Sequence, residues 1–482
     1  MKKTNTPSPI IVDIAVQASW LSEKWEYLEI FLKTSLRSTE SSYEIHLGRA
    51  LTALRLQDSE TFKNAIQAAR QEVVKGLSHS STSTLDQCHS SMLKLHALFE
   101  VESISSAINE GQFQNPKKKE ICIARLQRRL DLLGASARDK EHILAIRRAV
   151  FALSDNEVVK RDLAVTWLAT ARLARKAGRF QQAFHAILQS SKLGEQSATV
   201  EHARLLWHEG QHRKAIQSLQ GIIDAKVLNA IGTSSTALTE SAVTVNENTK
   251  TPQNFALAKA NLLLAKWLDT AGHLHSSNMT AQYQKASNTF LRWEQGFYYL
   301  GRHYNKLYEA QKNLPPAQQP TVYLYGETAK LVCQNYLRSL PWGTKYIFQT
   351  LPRFLTLWLD LGLPMDLVAE HGSVEFRTCI DRARGESLAA LHGTLQSRYI
   401  EKIPAYMWYT VFPQILSRIC HPHPTVHQNL ESIIIKVVST HPQQALWSLT
   451  AVLKSTQKER SARGLKIIGQ IQVYIYYTSH LP

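Results

Sequence analysis

The chain has 482 residues, of which 44% are hydrophobic, and it carries a formal net charge of +17. Its five cysteines are odd in number and include no CxxC pair, which argues against a disulfide framework and for a reducing compartment. The basic residues are dispersed and are not interleaved with aromatic residues, so we expect no direct nucleic-acid binding. No apolar run reaches membrane-spanning length, so no membrane partner is expected either.

The N-terminal part of the chain is predicted to form helical hairpins. Residues 9–35 indicate a helix pair with shared apolar faces, and residues 43–77 indicate a second hairpin. Three further helices are predicted downstream, around Leu93 and over residues 121–133 and 139–153. The basic groups here, Lys117 to Lys119 and the arginines at 125, 128 and 129, are interpreted as solvated helix faces.

A repeated unit lies at the centre of the chain. The alanines in it would let two helices approach closely, and the glycine would permit the turn that reverses the chain. The second copy follows 32 residues after the first, a period typical of a solenoid. The matching pairs are Ala171 and Ala203, Gly178 and Gly210, and Ala183 and Ala215. After the first glycine, one helical face is predicted to contain Phe180, Ala183, Phe184, Ile187 and Leu188.

The sequence therefore predicts an all-α fold, a right-handed superhelical solenoid of tetratricopeptide-like and HEAT-like helical hairpins. Within it, residues 231–254 are rich in Ser, Thr and Asn and are predicted to be a disordered insertion. The insertion separates repeats at 1–230 from tetratricopeptide-like repeats at 255–386, and HEAT-like pairs follow at 387–468. The tail at 469–482 alternates apolar and polar residues, so we expect it to be strand-like and not to continue the preceding helix.

Motifs that carry catalytic chemistry are absent from the sequence. It contains no glycine-rich phosphate loop, no GxGxxG, HExxH or GxSxG motif and no kinase catalytic loop. We therefore expect no catalytic residue and no cofactor site. Four zinc-type donors do lie close together, but prolines at 422 and 424 stiffen the backbone between them, so we interpret the stretch as a structural turn without metal. The four donors are Cys420, His421, His423 and His427.

Six stretches are distinctive when they are taken together and in order. They are SWLSEKWEYLE near 19–29, ILAIRRA at 143–149, ARLARKAGRFQQAFHAIL at 171–188, QTLPRFLTLWLDLG at 349–362, FPQILSRICH at 412–421 and HPQQALWSLTAVLKS at 441–455. Up to about residue 468, the chain resembles the FAT region of phosphoinositide-kinase-related protein kinases. The resemblance is closest to the ATR-type DNA-damage checkpoint kinases.

This resemblance implies a nuclear serine/threonine kinase that works with an ATR-interacting protein subunit and responds to single-stranded DNA coated by replication protein A. By this resemblance, the sequence is expected to stop before the position of the kinase domain and to lack the family's N-terminal HEAT array. We therefore expect it to be the non-catalytic FAT scaffold that supports the kinase domain in cis. The alternative is a free-standing tetratricopeptide adaptor that binds peptides in its concave groove.

The last two stretches bracket two helices that carry more apolar residues than one helix pair is expected to bury. In the family, these stretches lie where the FAT region closes on the kinase domain. The apolar residues are Ile415, Leu416, Ile419, Ile433, Ile434, Ile435, Val437, Val438, Leu446 and Trp447. By resemblance, we expect this segment to pack on the kinase domain with polar residues at the rim of the contact. The predicted contact residues are Arg418, His421, Gln443, Gln444 and Trp447.

Overall fold

The computed structural model describes residues 9–35, 42–79, 85–154, 156–225, 254–272, 275–364 and 374–479. Over these ranges the regular secondary structure is helical and no strand occurs, which confirms the all-α prediction. The chain divides into two compact units, Met1–Thr249 and Lys250–Pro482. The boundary falls within the predicted insertion, whose residues 231–253 lie outside the described part. Asn254 is buried and accepts a hydrogen bond from the backbone N–H of Leu257.

The first unit is a series of helices that pack mainly on their neighbours in the chain. The two N-terminal hairpins predicted from the sequence are both present. The helices are α1 Pro9–Leu21, α2 Trp25–Ser35, α3 Tyr43–Arg55, α4 Ser59–His79, α5 Leu85–Asn109, α6 Pro116–Leu132, α7 Ala137–Ala152, α8 Glu157–Lys176, α9 Phe180–Lys192, α10 Ser197–His208 and α11 His212–Asp224.

Helices α8 to α11 are the two copies of the central repeat. The repeated alanines are fully buried, at positions 171, 183, 203 and 215. The repeated glycines have φ angles of 74° at Gly178 and 86° at Gly210, a backbone conformation that favours glycine. The prediction that Phe184 and Leu188 share the buried face of α9 is wrong, because both are exposed. They follow Ala183 and Ile187 by one residue, about 100° further round the helix, beyond the face that packs on α8 and α10.

The second unit is built around large side chains. Its fully buried aromatic residues include Phe354, Trp358, Trp408 and Phe412. The helices are α12 Phe255–Ala271, α13 Ser276–Thr289, α14 Glu294–Lys312, α15 Thr321–Leu324, α16 Glu327–Ser339, α17 Ile347–Leu361, α18 Val374–Thr394, α19 Ile400–Lys402, α20 Ala405–Tyr409, α21 Phe412–Ser417, α22 Pro424–Thr440, α23 Pro442–Leu453 and α24 Lys458–Ser479.

Helix α24 corrects the prediction of a strand-like tail. It continues through residue 479 without a break at Gly469, and residues 480–482 of this tail lie outside the described part. Ile467 and Ile471, four residues apart, are both buried, which is the spacing of a helical apolar face. The alternation of apolar residues after Gly469 is a weak strand signal that the packing of the helix on α22 and α23 overrides.

Candidate partner-contact surface on helix α23

Helix α23 has one buried face and one exposed face. Ala445, Leu449 and Val452 point into the core, at the i, i+4, i+7 spacing of a helix stripe. Pro442 occupies the first helical position, where its missing N–H has no intrahelical partner to lose. Helices α22 and α23 both begin at a proline, and His441 is the residue that joins them.

The exposed face of α23 carries a large aromatic side chain. Trp447 is 81% exposed, and the neighbouring Leu446 is also exposed. Gln443 and Gln444 are exposed one turn earlier, and Arg418 is exposed at the end of α21. Four of the five predicted contact residues are therefore accessible to a partner. We call the exposed residues Gln443, Gln444, Leu446 and Trp447 the α23 surface.

His421 is the exception, because it is buried. Its Nε2 donates a hydrogen bond to the carbonyl oxygen of Leu359 at 3.1 Å, and its Nδ1 accepts one from the backbone N–H of His423 at 3.2 Å. Burial lowers the pKa of His421, and the nearby His423 lowers it further, which favours this neutral tautomer. His421 therefore fastens the segment before α22 to the end of α17, and the prediction that it lies at the rim of a partner contact is wrong.

The prediction that this segment has more apolar surface than it can bury is also wrong, because most of the apolar residues named for it are buried. The seven buried ones are Ile415, Leu416, Ile419, Ile433, Ile434, Val437 and Val438. They are covered because α22 packs against α18, α20, α21, α23 and α24. Helix α24 covers part of this apolar surface. The sequence interpretation did not include this contact, because it treated the tail at 469–482 as strand-like. The exposed apolar surface reduces to Leu446 and Trp447, with Ile435 half-buried.

The turn with four zinc-type donors packs against other protein side chains. Trp358 donates a hydrogen bond through Nε1 to Nε2 of His392 at 2.9 Å, and the His392 ring meets the ring of His423 edge to face. Burial, followed by the charges of His423 and His421, lowers the pKa of His392 to about 4. Among the described residues, which include all four donors, no three His, Cys, Asp or Glu side chains are grouped for a metal ion.

Two basic residues that the sequence interpretation missed hold this region together. Lys436 donates hydrogen bonds through Nζ to the carbonyl oxygens of Ile400, Glu401 and Ile403, at 2.6 to 2.8 Å. Arg463 of α24 donates to the carbonyl oxygen of Ile419 at 2.9 Å. Both satisfy carbonyl groups that have no partner at the ends of short helices. Their spacing in the sequence gives no sign of this role, because the acceptors are 33 or more residues away.

Comparison with known families matches most of the chain. The model described as "FAT domain" matches residues 12–356, and the model described as "Serine/threonine-protein kinase ATR-like, HEAT repeats" matches residues 393–480. This chain belongs to the FAT family, in its ATR-like branch. Helix α23 and its exposed surface lie within the second matched region.

Relatives of the chain are protein kinases by name. Protein kinase rad3 of Schizosaccharomyces pombe is 31% identical over 461 residues, which cover 95% of this chain. The serine/threonine-protein kinase ATR of Arabidopsis thaliana is 27% identical over 493 aligned positions, gaps included, and the alignment covers 94% of this chain. The matched region is 18% of each relative, so the chain spans about a fifth of their length.

A solved structure named "FAT and kinase domain of CtTel1" shares the fold of this chain. It matches 94% of the chain and 32% of its own length, with a TM-score of 0.60 and 14% identity. Another, of the open conformation of CtTel1, matches 94% of the chain with a TM-score of 0.64. Over the described helices, none is long and apolar enough to cross a membrane.

Proposed function

We propose that the chain is the non-catalytic FAT scaffold of an ATR-like checkpoint serine/threonine kinase, which acts in the nucleus in DNA-damage and replication-stress signalling. Two matched family models along the chain and the kinase names of its relatives support this proposal. In this proposal the catalytic residues belong to a kinase domain in cis, and an ATR-interacting protein subunit is the partner of the whole kinase. The FAT chain alone is expected to transfer no phosphate from ATP.

The exposure of Trp447 is the observation that supports a contact site on α23. We propose that the α23 surface contacts the kinase domain. A tryptophan that is 81% exposed places a large apolar area in water, and burial of such a residue at an interface is often a dominant contribution to binding. Gln443, Gln444 and Arg418 would pair with polar groups at the edge of the contact, while the buried face of α23 holds the helix in place.

A chimeric kinase tests this contact. This chain replaces the matching segment of rad3 from Schizosaccharomyces pombe, and the rate of peptide phosphorylation is measured with Arg418→Ala and Trp447→Ala together. We expect the phosphorylation rate to fall about tenfold, equivalent to a loss of about 1.4 kcal/mol in the free energy of the contact. The control variant carries Arg382→Ala and Phe348→Ala, whose side chains are also exposed, Phe348 at 73%. The control should keep its activity, and both variants should keep their helix content.

Two outcomes of this experiment would contradict the contact. If both pairs of substitutions lower activity equally, or if neither does, the α23 surface does not contact the kinase domain. The scaffold role itself is tested by sequencing the transcript beyond the codon for Pro482. An in-frame kinase domain supports the scaffold, whereas a stop codon supports the free-standing tetratricopeptide adaptor.

A further inference from the structure

The outer face of helix α6 carries a regular stripe of basic and apolar residues in the first unit. Its members are separated by three and four residues in alternation, the spacing with which helices pair in coiled coils. We call this set the α6 stripe. It consists of Lys118, Ile121, Arg125, Arg128 and Leu132.

Every member of the α6 stripe is exposed. Ile121 is 70% and Leu132 is 82% exposed, which is unusual for aliphatic side chains on a helix that belongs to a packed unit. At 100° per residue, the acidic residues of the helix, Glu120 and Asp131, lie away from the stripe. The stripe therefore combines three cations with two large aliphatic groups and contains no carboxylate.

The cations of the stripe have no ion-pair partner within the part of the chain that the structure describes. The ion pair that α6 makes there joins Lys119, which is outside the stripe, to Asp162 at 2.9 Å. Two carboxylates of the adjacent helix α5 are occupied elsewhere, Glu100 by Arg147 and Glu102 by Arg70. The positive charge of the stripe is thus available to an external partner.

Arg125 of the stripe and Arg129 beside it are also held in position. The guanidinium of Arg125 lies 5.7 Å from the ring centre of Phe99, and that of Arg129 lies 3.9 Å from it. The Nε of Arg129 is buried without a hydrogen-bond acceptor. Asn115 accepts a hydrogen bond from the backbone N–H of Lys117 and so fixes the start of the helix. Binding a partner would therefore cost these side chains less conformational freedom than it would cost a set of mobile lysines.

We propose that the α6 stripe binds an acidic amphipathic helix of a partner protein. The partner helix would present carboxylates opposite Lys118, Arg125 and Arg128, and apolar side chains opposite Ile121 and Leu132, with the same alternation of three and four residues. From Lys118 to Leu132 the stripe is about 21 Å long, which matches four turns of such a helix. This proposal does not depend on the assignment of the kinase domain to the α23 surface.

Two other classes of partner fit the stripe less well. The phosphate backbone of a nucleic acid would give no reason for two exposed aliphatic residues, and the ring of Phe99 beneath the stripe is covered by Arg129, so it offers no face for base stacking. A membrane-binding helix needs a continuous apolar face, whereas cations separate Ile121 from Leu132. An acidic helix satisfies both the charges and the apolar groups.

The probe for the test is a fluorescent helical peptide of about 21 residues, with glutamate and leucine at the complementary positions. Its binding to the purified full chain is measured by fluorescence anisotropy at about 0.15 M salt, where weak surface attraction is screened. We expect saturable binding that Arg125→Glu with Arg128→Glu weakens by about tenfold or more. The control, Arg213→Glu with Lys214→Glu on α11, makes the same change in net charge at exposed positions and should bind like the unchanged chain.

Two further arms separate helix recognition from general attraction. A peptide with the same composition in scrambled order should bind at least about tenfold more weakly, and Ile121→Ala with Leu132→Ala should weaken the ordered peptide severalfold. Single-stranded DNA and phosphatidylserine vesicles are tested in parallel. The proposal is overturned by equal binding of the two peptides, by tighter binding of DNA or vesicles, or by the absence of binding. Circular dichroism checks that each variant is folded.

Discussion

The central repeat and the C-terminal region from α17 onward are both made of packed helices, but their cores differ. In the repeat, the helix contacts are lined by small residues such as Ala171 and Ala183, and the buried Arg175 pairs with Glu201 only 26 residues away at 2.6 Å. In the C-terminal region, the core contains the buried indole rings of Trp358 and Trp408. There His421 donates a hydrogen bond to the carbonyl oxygen of Leu359, which is 62 residues away in the sequence. Small-residue contacts make each hairpin depend on its neighbour, whereas the aromatic core makes several distant helices depend on one another.

The largest effect is expected from Trp358→Ala in the C-terminal core. Trp358 is fully buried and hydrogen-bonded to His392, so its removal leaves a cavity that several helices share. We expect a loss of about 3 to 5 kcal/mol in the free energy of unfolding, measured by urea titration with circular dichroism. Trp447→Ala removes the same side chain from an exposed site and should change stability by less than about 0.5 kcal/mol. Similar losses for the two tryptophans would contradict this packing of the core.

A pH effect is also expected from this core. The folded-state pKa of His392 is lowered from 6.5 to about 4, so the unfolded chain binds a proton more readily than the folded chain does. The contribution of His392 to stability is therefore complete above pH 6.5 and is lost as the pH falls towards 4. His392→Gln should reduce this fall in the urea midpoint, because glutamine does not titrate. An unchanged pH dependence in the variant would show that other groups cause the fall.

In the central repeat, Ala183→Trp tests the small-residue contact. Ala183 is fully buried where α9 packs against α8, so an indole ring there forces the two helices apart. We expect a destabilisation of about 1 to 3 kcal/mol, measured by the same titration. Gln181→Trp places the ring on the exposed side of the same helix and should have little effect. If the two variants unfold alike, Ala183 does not limit the distance between the helices.

The smallest effects are expected at two glycines, Gly178 in a turn and Gly221 inside a helix, which should respond to alanine in opposite directions. Gly178 has a φ of 74° and open space around an added Cβ, so Gly178→Ala introduces backbone strain of about 1 kcal/mol and no clash. Gly221 lies inside α11, also in open space, so Gly221→Ala should stabilise the chain by about 0.5 to 1 kcal/mol. Equal effects would mean that the turn at Gly178 tolerates another backbone conformation.

The hairpins and the family could be predicted because their signals are local. Ala171, Gly178 and Ala183 act within one helix pair, and a period of 32 residues repeats that pair in the sequence. Family membership followed from six ordered stretches, which the FAT-domain match confirms. The candidate site could be predicted only in part: Arg418, Gln443, Gln444 and Trp447 are exposed, as a partner contact requires, whereas His421 is buried by its contact with α17.

The sequence by itself determined the helical class of this protein, its central repeat and the turns at Gly178 and Gly210, because each depends on residues within one or two helices. Tertiary structure decided which apolar residues are covered. Helix α24 returns over α22 and α23, so Ile433 and Val437 are buried while Trp447 is left in solvent. Burial is a property of the neighbours that a side chain meets, and those neighbours are brought together only when the whole unit folds.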